Sequence, residues 1–264
     1  MSERLRKARE AYERGDLEET KEAHTPEAIA EERHKLEEGK YLGDMVYGAL
    51  DGIVTTFAVV SGVVGAHLPT SVILILGFAN LLADGLSMGV GNYLGTKSEL
   101  DFQRKERERE TWEVDHVPEG ELMEIREIYA QKGFKGEDLD RVVEVITSDR
   151  EVWIDTMMVE ELGIIEEHKS PLKAGAATYV AFIAAGLIPL LSYLLASILS
   201  IPDSRLFLIA VILTAVTIFA VGSARSLIIT KRWYTAGLEM LLMGGLTAIV
   251  SYYIGHILSG LVSA

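Results

Sequence analysis

The chain has 264 residues, of which 49% are hydrophobic and 24% charged, and its formal net charge is −14 at neutral pH. It has no cysteine, which excludes disulfides, thiolate metal sites and thiol redox chemistry. The acidic balance argues against a nucleic-acid partner, and no Walker, Rossmann, zincin or nucleophile-elbow motif is present, so we do not expect an enzyme.

The first 44 residues are highly charged, with helical spacing and few large apolar side chains. Thr25 followed by Pro26 and an acidic turn indicates the start of a helix, with Thr25 as its N-cap. We therefore predict that residues 1–44 form one or two solvated helices on the cytoplasmic side of a membrane.

Five apolar stretches follow, each longer than the about 20 residues that a helix needs to cross the hydrocarbon of a bilayer. They are too long and continuous for barrel strands, so the sequence predicts an all-α membrane protein. Residues 45–94 would hold transmembrane helices 1 and 2, and residues 174–264 would hold helices 3 to 5, with Pro189 interrupting the third. The predicted spans are Met45–Leu68, Ser71–Leu94, Ala174–Leu199, Leu206–Ile229 and Tyr234–Leu261.

An acidic insert, residues 95–173, separates the second and third spans. No proline separates Leu94 from the charged sequence after it, so the second transmembrane helix should continue into the insert. The insert as a whole is predicted to be a small helical bundle, with further helices at Glu121–Gln131, Glu137–Thr147 and Arg150–Leu162.

Lysine and arginine are distributed unevenly along this pattern. Of the 25 basic residues, 23 lie in residues 1–44, 95–173 and 230–233, which are all on one side of a five-span chain. The positive-inside rule then predicts a cytoplasmic N-terminus and insert, with the C-terminus on the far side. Because no targeting segment is evident, we expect a prokaryotic inner membrane, although a vacuolar membrane would give the same pattern.

Two aspartates lie within predicted spans, where an ionisable side chain costs about 2.5–3.5 kcal/mol and therefore suggests a function. At 100° per residue, Asn80, Asp84 and Met88 share one face of the second span with Ser87, while Asp51 and Thr55 share a face of the first. Hard oxygen ligands with one thioether suit Fe²⁺ or Mn²⁺ better than Mg²⁺ or Ca²⁺. Near the inner end of the fifth span, Glu239 is either an entry ligand or an interfacial acid.

The insert repeats an acidic spacing. Glu110 and Glu113 are three residues apart on its first helix, and Glu121 and Glu124 repeat that spacing on the next. The spacing alone is also typical of solvated, salt-bridged helix faces. Two methionines that we expect to be exposed, near a further glutamate, point to a transition metal as a second interpretation, and the residues alone leave both open: Met157, Met158 and Glu161.

Two Glu-x-x-His pairs are a separate pattern, Glu31 with His34 and Glu113 with His116. Ferritin-like di-iron bundles use this unit twice, together with two further carboxylates. A chain rich in glutamate also contains such pairs by chance, so a di-iron oxidase is a minor alternative.

At three of these stretches the chain resembles the vacuolar iron transporter family, and the resemblance covers roughly residues 44–261. It departs from the common family pattern at Asn92, where members often have a carboxylate. The matching stretches are Tyr47-Gly-Ala-Leu-Asp51-Gly-Ile-Val-Thr-Thr, Ala83-Asp-Gly-Leu-Ser-Met88-Gly-Val-Gly-Asn-Tyr-Leu-Gly-Thr-Lys-Ser-Glu99 and Gly237-Leu-Glu-Met240.

The resemblance implies a homodimer of five-span subunits that moves Fe²⁺, and often Mn²⁺, out of the cytoplasm in exchange for protons. It implies a transport pathway at Asp51 and Met88. It also implies a metal-binding insert whose ligands are Glu110, Glu113, Glu121, Glu124, Met157, Met158 and Glu161.

Three functions remain as hypotheses at this point. The first is the metal/proton antiporter, whose carboxylate, amide and thioether ligands would accept Fe²⁺, Mn²⁺, Co²⁺ or Zn²⁺. The second is an iron-binding or sensing protein whose spans only anchor it in the lipid bilayer. The third is the di-iron oxidase on a membrane anchor.

Overall fold

A computed structural model provides the fold, and its described secondary structure is helical throughout. The chain divides into two compact units: a membrane unit, Met1–Tyr93 with Leu172–Ala264, and an insert unit, Leu94–Pro171. The residues that the structure describes are 3–22, 25, 40–165, 169–196, 198–227 and 232–262.

Two short helices, α1 (Glu3–Arg14) and α2 (Leu17–Glu22), form the N-terminal segment. Between them, Asp16 caps α2, because its carboxylate accepts hydrogen bonds from the backbone N–H groups of Glu18 and Glu19, each at 3.1 Å. The helix predicted to start after Thr25 lies outside the described residues.

Five helices in the described residues are long and apolar enough to cross a membrane, which confirms the all-α, five-span prediction. All five begin one to three residues before the predicted apolar stretches, because polar or interfacial side chains such as Asp44 are accommodated in the first turn. The third is the broken one described next. The other four are α3 (Leu42–Gly65), α4 (Thr70–His116), α10 (Asp203–Ala224) and α11 (Trp233–Val262).

The predicted interruption at Pro189 is confirmed. The third span consists of α8 (Pro171–Gly186), a 3₁₀ turn over Ile188–Leu190, and the single turn α9 (Leu191–Leu194). Proline has no N–H to donate and its ring clashes with the preceding turn, so a regular helix cannot continue through it.

Glycines allow α3 to pack closely against two other helices. A Cβ atom on Gly48 or Gly52 would overlap the backbone carbonyls of Thr178 and Phe182 on α8. On the other side, a Cβ on Gly65 would overlap the backbone of Tyr252 on α11. Small residues at such crossings bring helix backbones together in lipid, where packing replaces the hydrophobic effect as the driving force.

The insert unit is a bundle made by the charged end of α4 with three further helices: α5 (Pro118–Gln131), α6 (Gly136–Thr147) and α7 (Arg150–Glu160). The 47-residue α4 runs without a break from the apolar stretch into the insert, as the sequence predicted. Asp149 caps α7 by accepting from the N–H of Glu151 at 3.0 Å. The core of the bundle is Val114, Ile125, Val143, Ile146, Trp153, Ile154, Met157 and Met158.

Candidate metal sites

Three glutamates of the insert unit meet at one point, and we call them the carboxylate trio: Glu110 on α4, Glu121 on α5 and Glu161 just after α7. Each can offer one carboxylate oxygen such that the three oxygens lie within 4.8 Å of one another. Two helices and the residue that follows a third therefore place their carboxylates in one small volume.

Two members of the trio are buried. Glu110 is 0% exposed and Glu121 is 5% exposed, whereas Glu161 lies at the surface. Neither carboxylate oxygen of Glu110 receives a hydrogen bond, and Oε2 of Glu121 receives none either. Arg109 Nη2 lies 2.6 Å from Glu110 Oε1, although without the geometry of a hydrogen bond. Buried polar atoms in folded proteins almost always have partners, so this arrangement leaves ligand capacity unused.

The electrostatics of the trio follow from this burial. Burial, followed by the negative charge of Glu161, raises the pKa of Glu110 from 4.5 to about 7. Burial and the neighbouring Glu124 likewise raise the pKa of Glu121 to about 7, and burial raises the pKa of Glu161. A divalent cation would bind the oxygens that accept no hydrogen bond and neutralise the crowded charge, so the donor set fits an oxygen-preferring or borderline metal ion.

The other two predicted glutamates lie at the edge of the trio. Besides burial, the negative charge of Glu124 contributes to the raised pKa of Glu161, which places Glu124 next to the cluster. Glu113 instead accepts a 2.6 Å hydrogen bond from Arg109 Nη1. The i,i+3 spacing in the sequence therefore identified one buried member and one outer member on each of two helices.

The prediction that the methionine pair is exposed is wrong. Met157 is 0% exposed and Met158 is 1% exposed, and both pack in the core of the insert with Ile125 and Ile154. Both face inward because α7 is covered by neighbouring helices along the side that carries Trp153. Whether either thioether binds a metal stays a prediction.

In the membrane unit, the aspartates of the first two spans are near each other. Asp84 lies close enough to Asp51 for the two carboxylates to repel each other. Both are half-buried, as are Asn80 and Met88, and Met88 packs against the hydrophobic core of the membrane unit. The fourth residue predicted on this face, Ser87, is exposed.

A buried polar network near one end of the membrane unit was not anticipated. The Nδ2 of Asn92 donates to Asp44 Oδ1 at 2.9 Å and to Thr178 Oγ1 at 2.7 Å, and it lies 3.2 Å from the carbonyl oxygen of Ala174. The network joins α3, α4 and α8. Asp44 was predicted to belong to the solvated N-terminal segment, yet it is 9% exposed and lies seven residues before Asp51, on the same helix face. That spacing was the signal that could have identified it.

Glu239 is half-buried near the start of α11. Its Oε2 lies 4.0 Å from Nη1 of Arg225, and the same Nη1 lies 3.8 Å from the sulfur of Met240. Glu239 therefore has a basic neighbour on the adjoining segment, which was not part of the prediction.

One of the two Glu-x-x-His pairs can be described. His116 Nδ1 lies 2.8 Å from the carbonyl oxygen of Trp112, and the two rings stack with centroids 4.5 Å apart. Its partner in the motif, Glu113, is held by Arg109. The other pair, Glu31 and His34, lies outside the described residues.

Comparison with known proteins gives a consistent result over most of the chain. The sequence profile described as the VIT family matches residues 42–256. A vacuolar iron transporter of Toxoplasma gondii is 36% identical, over 98% of this chain and 90% of its own length. A vacuolar iron transporter of Plasmodium berghei is 34% identical over 95% of each chain. Vacuolar iron transporter 1 of Arabidopsis thaliana is 31% identical over 83% of this chain and 86% of its own.

Proposed function

Because the chain belongs to the VIT family, we propose that it carries a divalent transition metal, Fe²⁺ and also Mn²⁺, out of the cytoplasm in exchange for protons. The observation that carries this proposal is the carboxylate trio, whose buried oxygens lack hydrogen-bond partners. The named relatives are iron transporters, which supports iron as the cargo.

The insert would collect the metal from the cytoplasm. With Glu110 and Glu121 close to half-protonated near neutral pH, an arriving cation displaces protons from the trio. Glu113 and Glu124 would add negative charge at the rim and attract cations from solution. In this proposal the thioethers of Met157 and Met158 reach the metal from the core side.

The pathway through the membrane would pass between the first two spans. Asp51 and Asp84 supply carboxylate oxygens that bind either a proton or the metal, and Asn80 and Met88 supply an amide oxygen and a thioether. Their partial burial and the proximity of the two aspartates support this assignment. Glu239, beside Arg225, would lie at the cytoplasmic mouth of the pathway.

The orientation and assembly belong to the same proposal. The positive-inside rule favours a cytoplasmic insert, and proton exchange requires a far side that is more acidic than the cytoplasm. Two copies of the chain would form the working unit, as the resemblance to the family implies.

The decisive experiment measures Fe²⁺ flux into proteoliposomes under an imposed pH gradient. Wild type should transport, and Asp51→Ala should lose transport while its elution from a sizing column stays unchanged. Asp203→Ala is the matched control, because Asp203 is an exposed aspartate in the first turn of α10.

The alternatives make different predictions in the same assay. Undiminished flux in Asp51→Ala would refute the pathway assignment. Absence of flux in folded wild type that still binds Fe²⁺ would favour the anchored sensor. Consumption of O₂ during Fe²⁺ oxidation, lost in His116→Ala, would favour the di-iron oxidase.

A further inference from the structure

Two histidines meet at the end of the membrane unit where α3 ends and α4 begins. His67 follows α3, and His256 lies in the last two turns of α11. Their rings are nearly perpendicular, at 82°, with centroids 5.6 Å apart. No function described above uses either residue.

Close backbone packing positions the pair. A Cβ on Gly255 would overlap the carbonyl of Gly62, just as one on Gly65 would overlap Tyr252. This crossing of α3 and α11 lies within one turn of both histidines. The crossing therefore places the turn that carries His67 next to the segment of α11 that carries His256.

The local backbone and the exposure of the rings argue against simple aromatic packing. His67 has a φ of +56°, in the left-handed region that non-glycine residues rarely adopt and that is associated with functional sites. Both side chains are exposed, so the contact between the rings buries little apolar surface.

The spacing of the rings fits a shared metal ion. A metal about 2.1 Å from one nitrogen of each imidazole lies roughly 3.2 Å from each ring centre, and a tetrahedral angle then separates the centres by about 5.3 Å. The observed separation is 5.6 Å. Imidazole is also a ligand that Fe²⁺, Zn²⁺ and related ions accept readily, with water completing the shell.

We propose that His67 and His256 form a second metal site, which receives the ion at the release end of the pathway. Its role in release rests on the proposed transport function, whereas metal binding by the pair does not. The site is chemically distinct from the carboxylate sites: it is built from neutral nitrogen ligands, and it lies at the end of the membrane unit opposite to Asp44 and Asn92.

The test is a Zn²⁺ titration of the full chain in detergent by calorimetry. The background carries Glu110→Gln, Glu121→Gln and Glu161→Gln, which removes the carboxylate trio, and Asp51→Asn, which disables the proposed pathway site. One Zn²⁺ per chain should remain bound. His67→Asn and His256→Gln should each lower the affinity for this Zn²⁺ at least tenfold. Asparagine is chosen at 67 because it tolerates a positive φ.

Two controls sharpen the result. His116→Gln, which removes an exposed histidine of the insert, should leave the remaining Zn²⁺ affinity unchanged. The double variant His67→Asn with His256→Gln should bind Zn²⁺ only slightly more weakly than either single variant, because a site that has lost one of two ligands has little affinity left.

A second measurement uses unmutated protein. Carbethoxylation followed by peptide mass spectrometry should show that Zn²⁺ protects His67 and His256 together, and protects His116 less. Equal reactivity with and without Zn²⁺, or Zn²⁺ binding unaffected by both substitutions, would show that the rings make a packing contact only. Absence of Fe²⁺ flux in wild-type proteoliposomes would refute the transport proposal. It would leave the Zn²⁺ titration and the carbethoxylation result unaffected.

Discussion

Replacing Glu110 by glutamine should stabilise the metal-free insert at alkaline pH. The buried carboxyl of Glu110 has a pKa of about 7, against 4.5 for an exposed glutamate. A group whose pKa is raised by folding contributes stability that is complete below pH 4.5 and is lost as the pH rises through about 7. Glutamine has nearly the same shape and never ionises, so Glu110→Gln should remove this loss.

The size of this stabilisation follows from the pKa shift of Glu110. A rise from 4.5 to about 7, at 1.36 kcal/mol per pH unit, corresponds to roughly 3 kcal/mol between the acidic and alkaline limits. Hydrogen–deuterium exchange of insert peptides, in full-length protein treated with chelator, reports the opening free energy at each pH. Glu110→Gln should match wild type at about pH 4 and exceed it by roughly 3 kcal/mol at about pH 8.

Glu108→Gln, an exposed change on the same helix, provides the control and should follow wild type at every pH. A parallel loss of protection in wild type and Glu110→Gln as the pH rises would show that ionisation of Glu110 does not destabilise the insert. A wild type that becomes more stable over this range would show the same.

Two further predictions concern the insert and the membrane unit. Mn²⁺ affinity of the wild-type insert should rise between about pH 6 and pH 8, because protons compete for Glu110 and Glu121. The rise should be smaller in Glu110→Gln, which keeps only Glu121 of the two, and a pH-independent affinity of wild type in calorimetry would contradict this. Gly52→Ala should lower thermal stability in detergent by about 1–3 kcal/mol, since its methyl group would overlap the backbone of Phe182. Gly91→Ala, whose methyl group meets nothing within 4 Å, should be neutral or stabilising, and equal effects at the two positions would refute the packing argument.

The helices could be predicted because their signals are local. Long apolar stretches, the absence of proline after Leu94 and the presence of Pro189 each act on the adjacent backbone. The prediction that α4 continues into the insert needed no knowledge of tertiary contacts, and it is confirmed by the 47-residue helix.

The sites were predictable only in part, because burial depends on contacts that are distant in sequence. Spacing identified Glu110 and Glu121 as candidates, but not that they are buried while Glu113 pairs with Arg109. The methionines looked exposed because their neighbours in sequence are charged, whereas their neighbours in space are Ile125 and Val114.

Asp44 was also mispredicted because its neighbours are distant in sequence. As a charged residue at the edge of an apolar stretch it was predicted to be solvated. Its polar surroundings are instead Asn92 and Thr178, which lie 48 and 134 residues away in sequence. Similarly, nothing in the sequence near His67 indicates that His256 lies beside it.

The length of α11 has a consequence for the surrounding lipid. Its 30 residues extend for about 45 Å at 1.5 Å per residue, whereas the hydrocarbon of a typical bilayer is about 30 Å thick. Most of its outward side chains are apolar along nearly the whole length, including Leu242, Ile249 and Ile257. A helix of this kind must tilt or locally thicken the membrane, and either response costs elastic energy that depends on acyl-chain length. Bilayer thickness is therefore a variable that acts directly on this protein, and short-chain and long-chain lipids impose different mechanical loads on its last helix.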